Sequence, residues 1–328
     1  MEKKRIEYID HLRGLALIGV VWFHTAHPAF LDFSWRIPLF FFISGIFFRP
    51  YNPEVFFKKK INQLLVPTVF FYLLYCLFYV GLWYGKYHSF AGFNIHTLFD
   101  VLNFHSGSES FAMNPPLWFI FALLDIQLVM YGLLKLTSNR LVILFVALLI
   151  SVVGALWFYQ IATPFMISRS TPYFIYFALG YVLGMPLLNI IDKGKGKGYL
   201  TLLALSLITF ISSMIAIYTY GLNSDNLFDV LNYVAVLSFL VLLIFMMQKV
   251  YKFRICAPLD FYGRNTFVLL GIHEMILTIT LLCVNHFIGS NDIWLGIVQV
   301  IFTLCIAYPI TLWCNKYIPH LVGKRDLL

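Results

Sequence analysis

Charge is what this sequence lacks most. Only 12% of its 328 residues are Asp, Glu, Lys or Arg, against 61% hydrophobic, whereas a soluble domain carries about 25% charged residues. With a mean hydropathy of +0.83, the chain is expected to dissolve in lipid as one polytopic domain, 1–328, with no large soluble part. Cysteine is scarce too. Cys76, Cys256, Cys283, Cys305 and Cys314 form no C-x-x-C pair, which argues against a disulfide framework and against a cysteine zinc site. No convincing small-residue cleavage site follows the N-terminal basic residues and their apolar run, so that run is read as a retained helix, not a signal peptide. Nor does the pattern DHLRG…H recur in residues 165–328, although transporters are often built from two related halves.

What is present is apolar sequence of spanning length. Ten segments stand out, at about 12–31, 35–48, 64–84, 115–136, 141–160, 171–191, 199–221, 227–248, 264–288 and 292–315. They predict an all-α membrane bundle of about ten helices. Threading them through a bilayer leaves all but Arg36, Lys86 and Arg169 of the 23 Lys and Arg residues on one side. The positive-inside rule makes that side, and both termini, cytoplasmic. This scatter over membrane ends also accounts for the net charge of +8 without nucleic acid. The run Lys193–Gly198 mimics a phosphate loop, but it lacks the strand and the Lys-Ser/Thr pair that such a loop needs. The longest outer loop, about 85–114, carries His88, His96, His105, Glu109 and Asn114. Its histidine spacing does not suit a metal, and its length suits a lid.

Ionisable residues within the apolar segments are few. In DHLRGLALIGVVWFH, Arg13 and His24 are eleven residues apart, about 20° from a common helix face and about 16 Å apart along the axis. Arg13 is therefore expected at the cytoplasmic edge, beside Asp10, with His24 near mid-bilayer. Such groups are costly in lipid and face a partner or a polar cavity. FYGRNTFVLLGIHE places His273 and Glu274 at similar depth, nine and ten residues past Arg264. Trp118 and Asp125, seven residues apart, share a face of the fourth segment. Lys58, Lys59 and Lys60 form a basic start to the third, suited to anionic lipid or to the phosphates of a cytosolic cofactor.

Together these pieces resemble membrane acyltransferase family 3, multi-spanning enzymes that O-acetylate bacterial surface carbohydrates. IDHLRGLALIGVVWFH is similar to the family's Asp-x-x-Arg-Gly opening, with His after ten further residues. IPLFFFISGIFF resembles its Pro-x-Phe-Phe-x-x-Ser-Gly signature at Pro38 to Gly45, and PLWFIFALL its Leu-Trp-Phe motif. GRNTFVLLGIH resembles the late Ser/Thr-x-x-x-Tyr-x-x-His segment, with Leu269 or Leu270 in the tyrosine's place. The resemblance runs the length of the chain and is that of a stand-alone form without a fused esterase-like domain. It implies an enzyme of the bacterial cytoplasmic membrane that takes acetyl-CoA, or another acyl-CoA, as donor and a carbohydrate or lipid-linked glycan as acceptor, with no metal. Arg13, His24 and Asp10 would be catalytic. Arg13 with Lys58, Lys59 and Lys60 would hold the donor, although Lys60 and Gln63 stand where the family has Arg-x-x-Arg. Ser44, Trp118, Asp125, His273 and Glu274 would line the substrate path. Acyl transfer needs a base and an oxyanion donor. Neutral His24 suits the first task; Ser44, an Asn or Trp N–H, or Arg13 could serve the second. The alternative is a proton-coupled secondary transporter with His24, Asp125, His273 and Glu274 as its relay.

Overall fold

The computed structural model describes residues 5–25, 34–102, 115–158, 161, 163, 167–219, 225–284 and 293–327. Among these residues every regular element is helical. The order is α1 (Glu7–Phe23), α2 (Arg36–Phe47), α3 (Pro53–Lys60), α4 (Val66–Tyr87), α5 (Trp118–Leu136), α6 (Arg140–Val153) and α7 (Ile167–Ser170). It continues with α8 (Phe174–Lys193), α9 (Lys197–Thr219), α10 (Asp225–Val250), α11 (Ala257–Arg264), α12 (Thr266–Val284) and α13 (Ile293–Tyr317). Seven helical stretches are long and apolar enough to cross a membrane, and α11 with α12 makes an eighth if that bent pair is one span. At 17 and 12 residues, α1 and α2 fall below that length. Residues 103–114 of the expected lid, with His105, Glu109 and Asn114, lie outside the described residues.

The first helix begins at Glu7, five residues before the Leu12 that hydropathy suggests. Its polar start is not solvent-facing: Asp10 and His11 are each only 6% exposed, because this turn packs along α11. Two crossings hold the centre of the bundle, α1 on α11 and α2 on α8. Both depend on glycine. A Cβ at Gly14 would run into the Leu259 carbonyl, and one at Gly263 into the Asp10 carbonyl. At the second crossing Gly45 faces the Phe177 carbonyl and Gly180 the Phe42 carbonyl. Small residues let helix backbones touch where lipid supplies no hydrophobic drive for association.

Two irregularities shape what lies between the crossings. Pro67 has no N–H to give to the Gln63 carbonyl, and the chain widens there into a π-turn over Ile61–Leu65 that links α3 to α4. The second is a 94° bend between α11 and α12, with Asn265 at the break. Its Nδ2 donates to the Phe261 carbonyl at 2.7 Å, and its Oδ1 accepts from Asn315 Nδ2 at 2.8 Å. The bend lets α11 lie against the start of α1 while α12 reaches the other end of that helix.

The crossings give a stability prediction. Gly45→Ala should destabilise the bundle by about 1–3 kcal/mol, as overpacking does. Gly81→Ala, where a Cβ meets nothing within 4 Å, should be neutral or stabilising by up to about 1 kcal/mol from helix propensity. Thermal unfolding of the two variants in one detergent distinguishes them; equal midpoints would contradict the packing described.

Candidate functional site

His24 caps the end of α1, with φ −89° and ψ 1°, so its ring projects from a helix terminus. The bend at Asn265 brings α12 to it. His24 Nδ1 and Glu274 Oε1 are 2.6 Å apart, with side chains 23% and 16% exposed. The contact is a close approach of a carboxylate oxygen to a ring nitrogen. The neighbouring His273 is fully buried, with its ring centroid 5.4 Å from that of His24. Its Nδ1 lies 3.0 Å from the Leu269 carbonyl, which makes Nδ1 the protonated nitrogen and leaves Nε2 a bare acceptor without a partner. The carboxylate at His24 Nδ1 likewise favours a proton there, leaving Nε2 as a base.

His24 lines one of two cavities that share a wall. The smaller, about 200 Å³, is lined by His24, Arg36, Trp118, Phe119 and Tyr173 among others. The larger, about 480 Å³, lies at the opposite end of α1. It takes in Arg13, Ser44, Arg49, Lys59 and Lys60. Phe40, Phe119 and Thr266 line both, so the two share a wall. The larger cavity has six basic side chains, Arg13, Arg49, Lys59, Lys60, Arg264 and Lys324, and no Asp or Glu in its lining.

The expected residues divide between these places. Arg13 and His24 belong to adjoining cavities. Asp10 lies fourteen residues from His24, about 21 Å along the helix. It accepts from Arg5 Nε at 2.6 Å and from Arg13 Nη1 at 3.1 Å, and so positions Arg13 and does not touch His24. Lys59 and Lys60 line the basic cavity; Lys58 does not and is exposed. Ser44 lines the basic cavity and Trp118 the one with His24. Asp125 reaches neither: it lines a separate apolar cavity of about 210 Å³ with Ser170 and Thr171, and its Oδ2 has no partner. His88 and His96 line neither principal cavity.

Sequence reasoning missed three things here. It set Glu274 among lining residues, although a carboxylate next to a histidine in an apolar run was signal enough to test a pair. It missed Arg49, Arg264 and Lys324, which distant segments bring into one cavity. It also sought metal ligands in the outer loop, whereas His24, His273 and Glu274 offer one ligand atom each within 4.8 Å of one another.

The acyltransferase-domain family model, family 3, matches residues 6–315. The chain belongs to acyltransferase family 3. The protein is thus a membrane acyltransferase, and the match does not favour the transporter reading. No curated protein and no solved structure matches the chain. In an acyltransferase, an imidazole backed by a carboxylate on the wall of a cavity has the parts of a general base. Glu274→Gln should keep the fold and lower acyl transfer by roughly 10²–10⁴-fold, the usual contribution of acid–base catalysis. Transfer at the wild-type rate in purified variant would remove Glu274 from the site.

Proposed function

We propose that this acyltransferase moves an acetyl group from cytosolic acetyl-CoA to a hydroxyl of a cell-surface or lipid-linked carbohydrate at the bacterial cytoplasmic membrane. The observation that carries the reading is the placement of His24, backed by Glu274, where a small aromatic cavity adjoins a large basic one. The bundle would have ten spans with both termini cytoplasmic, α1 and α2 included. The one-sided distribution of Lys and Arg supports that orientation, in which the basic cavity would lie on the cytosolic side.

A CoA thioester carries its negative charge on phosphates, which the basic cavity suits, and its pantetheine arm would run past Thr266 and Phe40. The acceptor would occupy the cavity of Trp118, Phe119 and Tyr173, whose rings offer flat apolar faces with polar edges. His24 Nε2 takes the acceptor hydroxyl proton as the oxygen bonds to the thioester carbonyl carbon. Trp118, which lines this cavity with His24, would donate its indole N–H to the oxyanion. Collapse of the tetrahedral intermediate breaks the carbon–sulfur bond, and the CoA thiolate takes the proton back from His24.

Labelled acetyl-CoA and isolated membranes test this. His24→Ala and Arg13→Ala should each abolish labelling of glycan while protein levels hold, and EDTA should leave the wild type unaffected. Labelling retained in either variant would refute the assignment. Loss with EDTA and restoration by zinc would replace the free base with a metal held by His24, His273 and Glu274.

A further inference from the structure

The segment after α13 is not a loose end. It folds back on the bundle and is tied at two points. The Leu327 backbone N–H donates to Asn62 Oδ1 at 2.8 Å, and Lys324 Nζ donates to the Arg264 carbonyl at 2.6 Å. Val322 is 3% exposed. Gly323 turns the segment with φ +71°, against Pro67 and the Gln63 carbonyl. These anchors are two irregularities already described: the π-turn holds Asn62 and Gln63, and the bend follows Arg264. The result is that Val322, Gly323 and Lys324 form part of the wall of the basic cavity.

The cations of that cavity are not equivalent. Arg13 is paired with Asp10, and Arg264 with Asp260 at 2.7 and 2.8 Å. Lys59 and Lys60 lie over the rings of Tyr51 and of Phe48 and Phe56, and Arg49 donates to the Ile46 and Phe48 carbonyls. Together with Lys324, these three make no ion pair among the described residues. The Lys324 side chain is exposed, and partial desolvation, with the charges of Arg5 and Arg264 nearby, lowers its amine below the usual lysine range against the pull of Asp10. The cavity thus gathers six cations with no carboxylate in its lining.

We infer that Lys324, held in place by the fold-back of Ile318–Leu327, binds phosphate of the CoA donor and makes this enzyme select phosphorylated carriers over bare pantetheine thioesters. The inference rests on the acyl-CoA reading above and assigns Lys324 to donor binding, with no part in the chemistry at His24. A charge-assisted contact of this kind is worth roughly tenfold in affinity.

The test compares acetyl-CoA with S-acetylpantetheine, which has the same thioester and arm but no phosphate, on full-length protein in lipid nanodiscs. Lys324→Ala should raise KM for acetyl-CoA roughly tenfold at unchanged kcat. It should leave kinetics with S-acetylpantetheine unaltered, and Lys324→Arg should restore most of the acetyl-CoA affinity. Equal damage with both donors would make Lys324 a structural residue, and no change with either would remove it from the site; each result overturns the inference alone. A wild type that neither binds nor uses acetyl-CoA would overturn the acyl-CoA reading and this inference with it.

Discussion

A carboxylate and an imidazole 2.6 Å apart inside an apolar helical bundle set the terms for the rest of this structure. Neither group is at ease in lipid, and each is tolerable because the other is there. The pair joins α1 to α12, helices separated by most of the chain. It can form only because α12 is turned 94° from α11. The same turn leaves α11 packed against the N-terminal half of α1, so one break in one helix serves both ends of another. Gly14 and Gly263 bring those backbones together, and Asn315 holds the break through Asn265.

From this follows the division of labour along α1. Its first turns carry Arg13, held by Asp10, to the wall of a cavity rich in positive charge, and its terminus carries His24 to a second, aromatic cavity. The two share Phe40, Phe119 and Thr266. In the proposed reaction, donor and acceptor are held on these chemically different surfaces, with their reacting atoms meeting at one imidazole. Most of a large rate gain in acyl transfer can come from such positioning; the base adds to it.

The sequence made a good part of this legible, for definite reasons. Apolar runs are a strong signal because lipid demands them, and all ten predicted segments overlap helices among the described residues. The eleven-residue interval from Arg13 to His24 was informative because a helix converts spacing into distance. The early start of α1 was hidden because Asp10 and His11 are polar residues ahead of the apolar run, and the partner that buries them, α11, lies some 250 residues away. The same limit explains Asp125, which shares a helix face with Trp118 by spacing but reaches a different cavity, since the neighbours of each turn differ. Lys324 and Arg49 carried no motif at all. Their meaning comes from tertiary placement, which no local pattern records.

The central claim is that an acetyl group offered as a CoA thioester on the cytosolic side reaches an acceptor through His24. Sealed membrane vesicles of opposite orientation, given labelled acetyl-CoA outside, measure it directly. Inside-out vesicles should transfer label to glycan, right-side-out vesicles should not, and His24→Ala should abolish the signal. Transfer by right-side-out vesicles alone, or undiminished transfer without His24, would contradict the account.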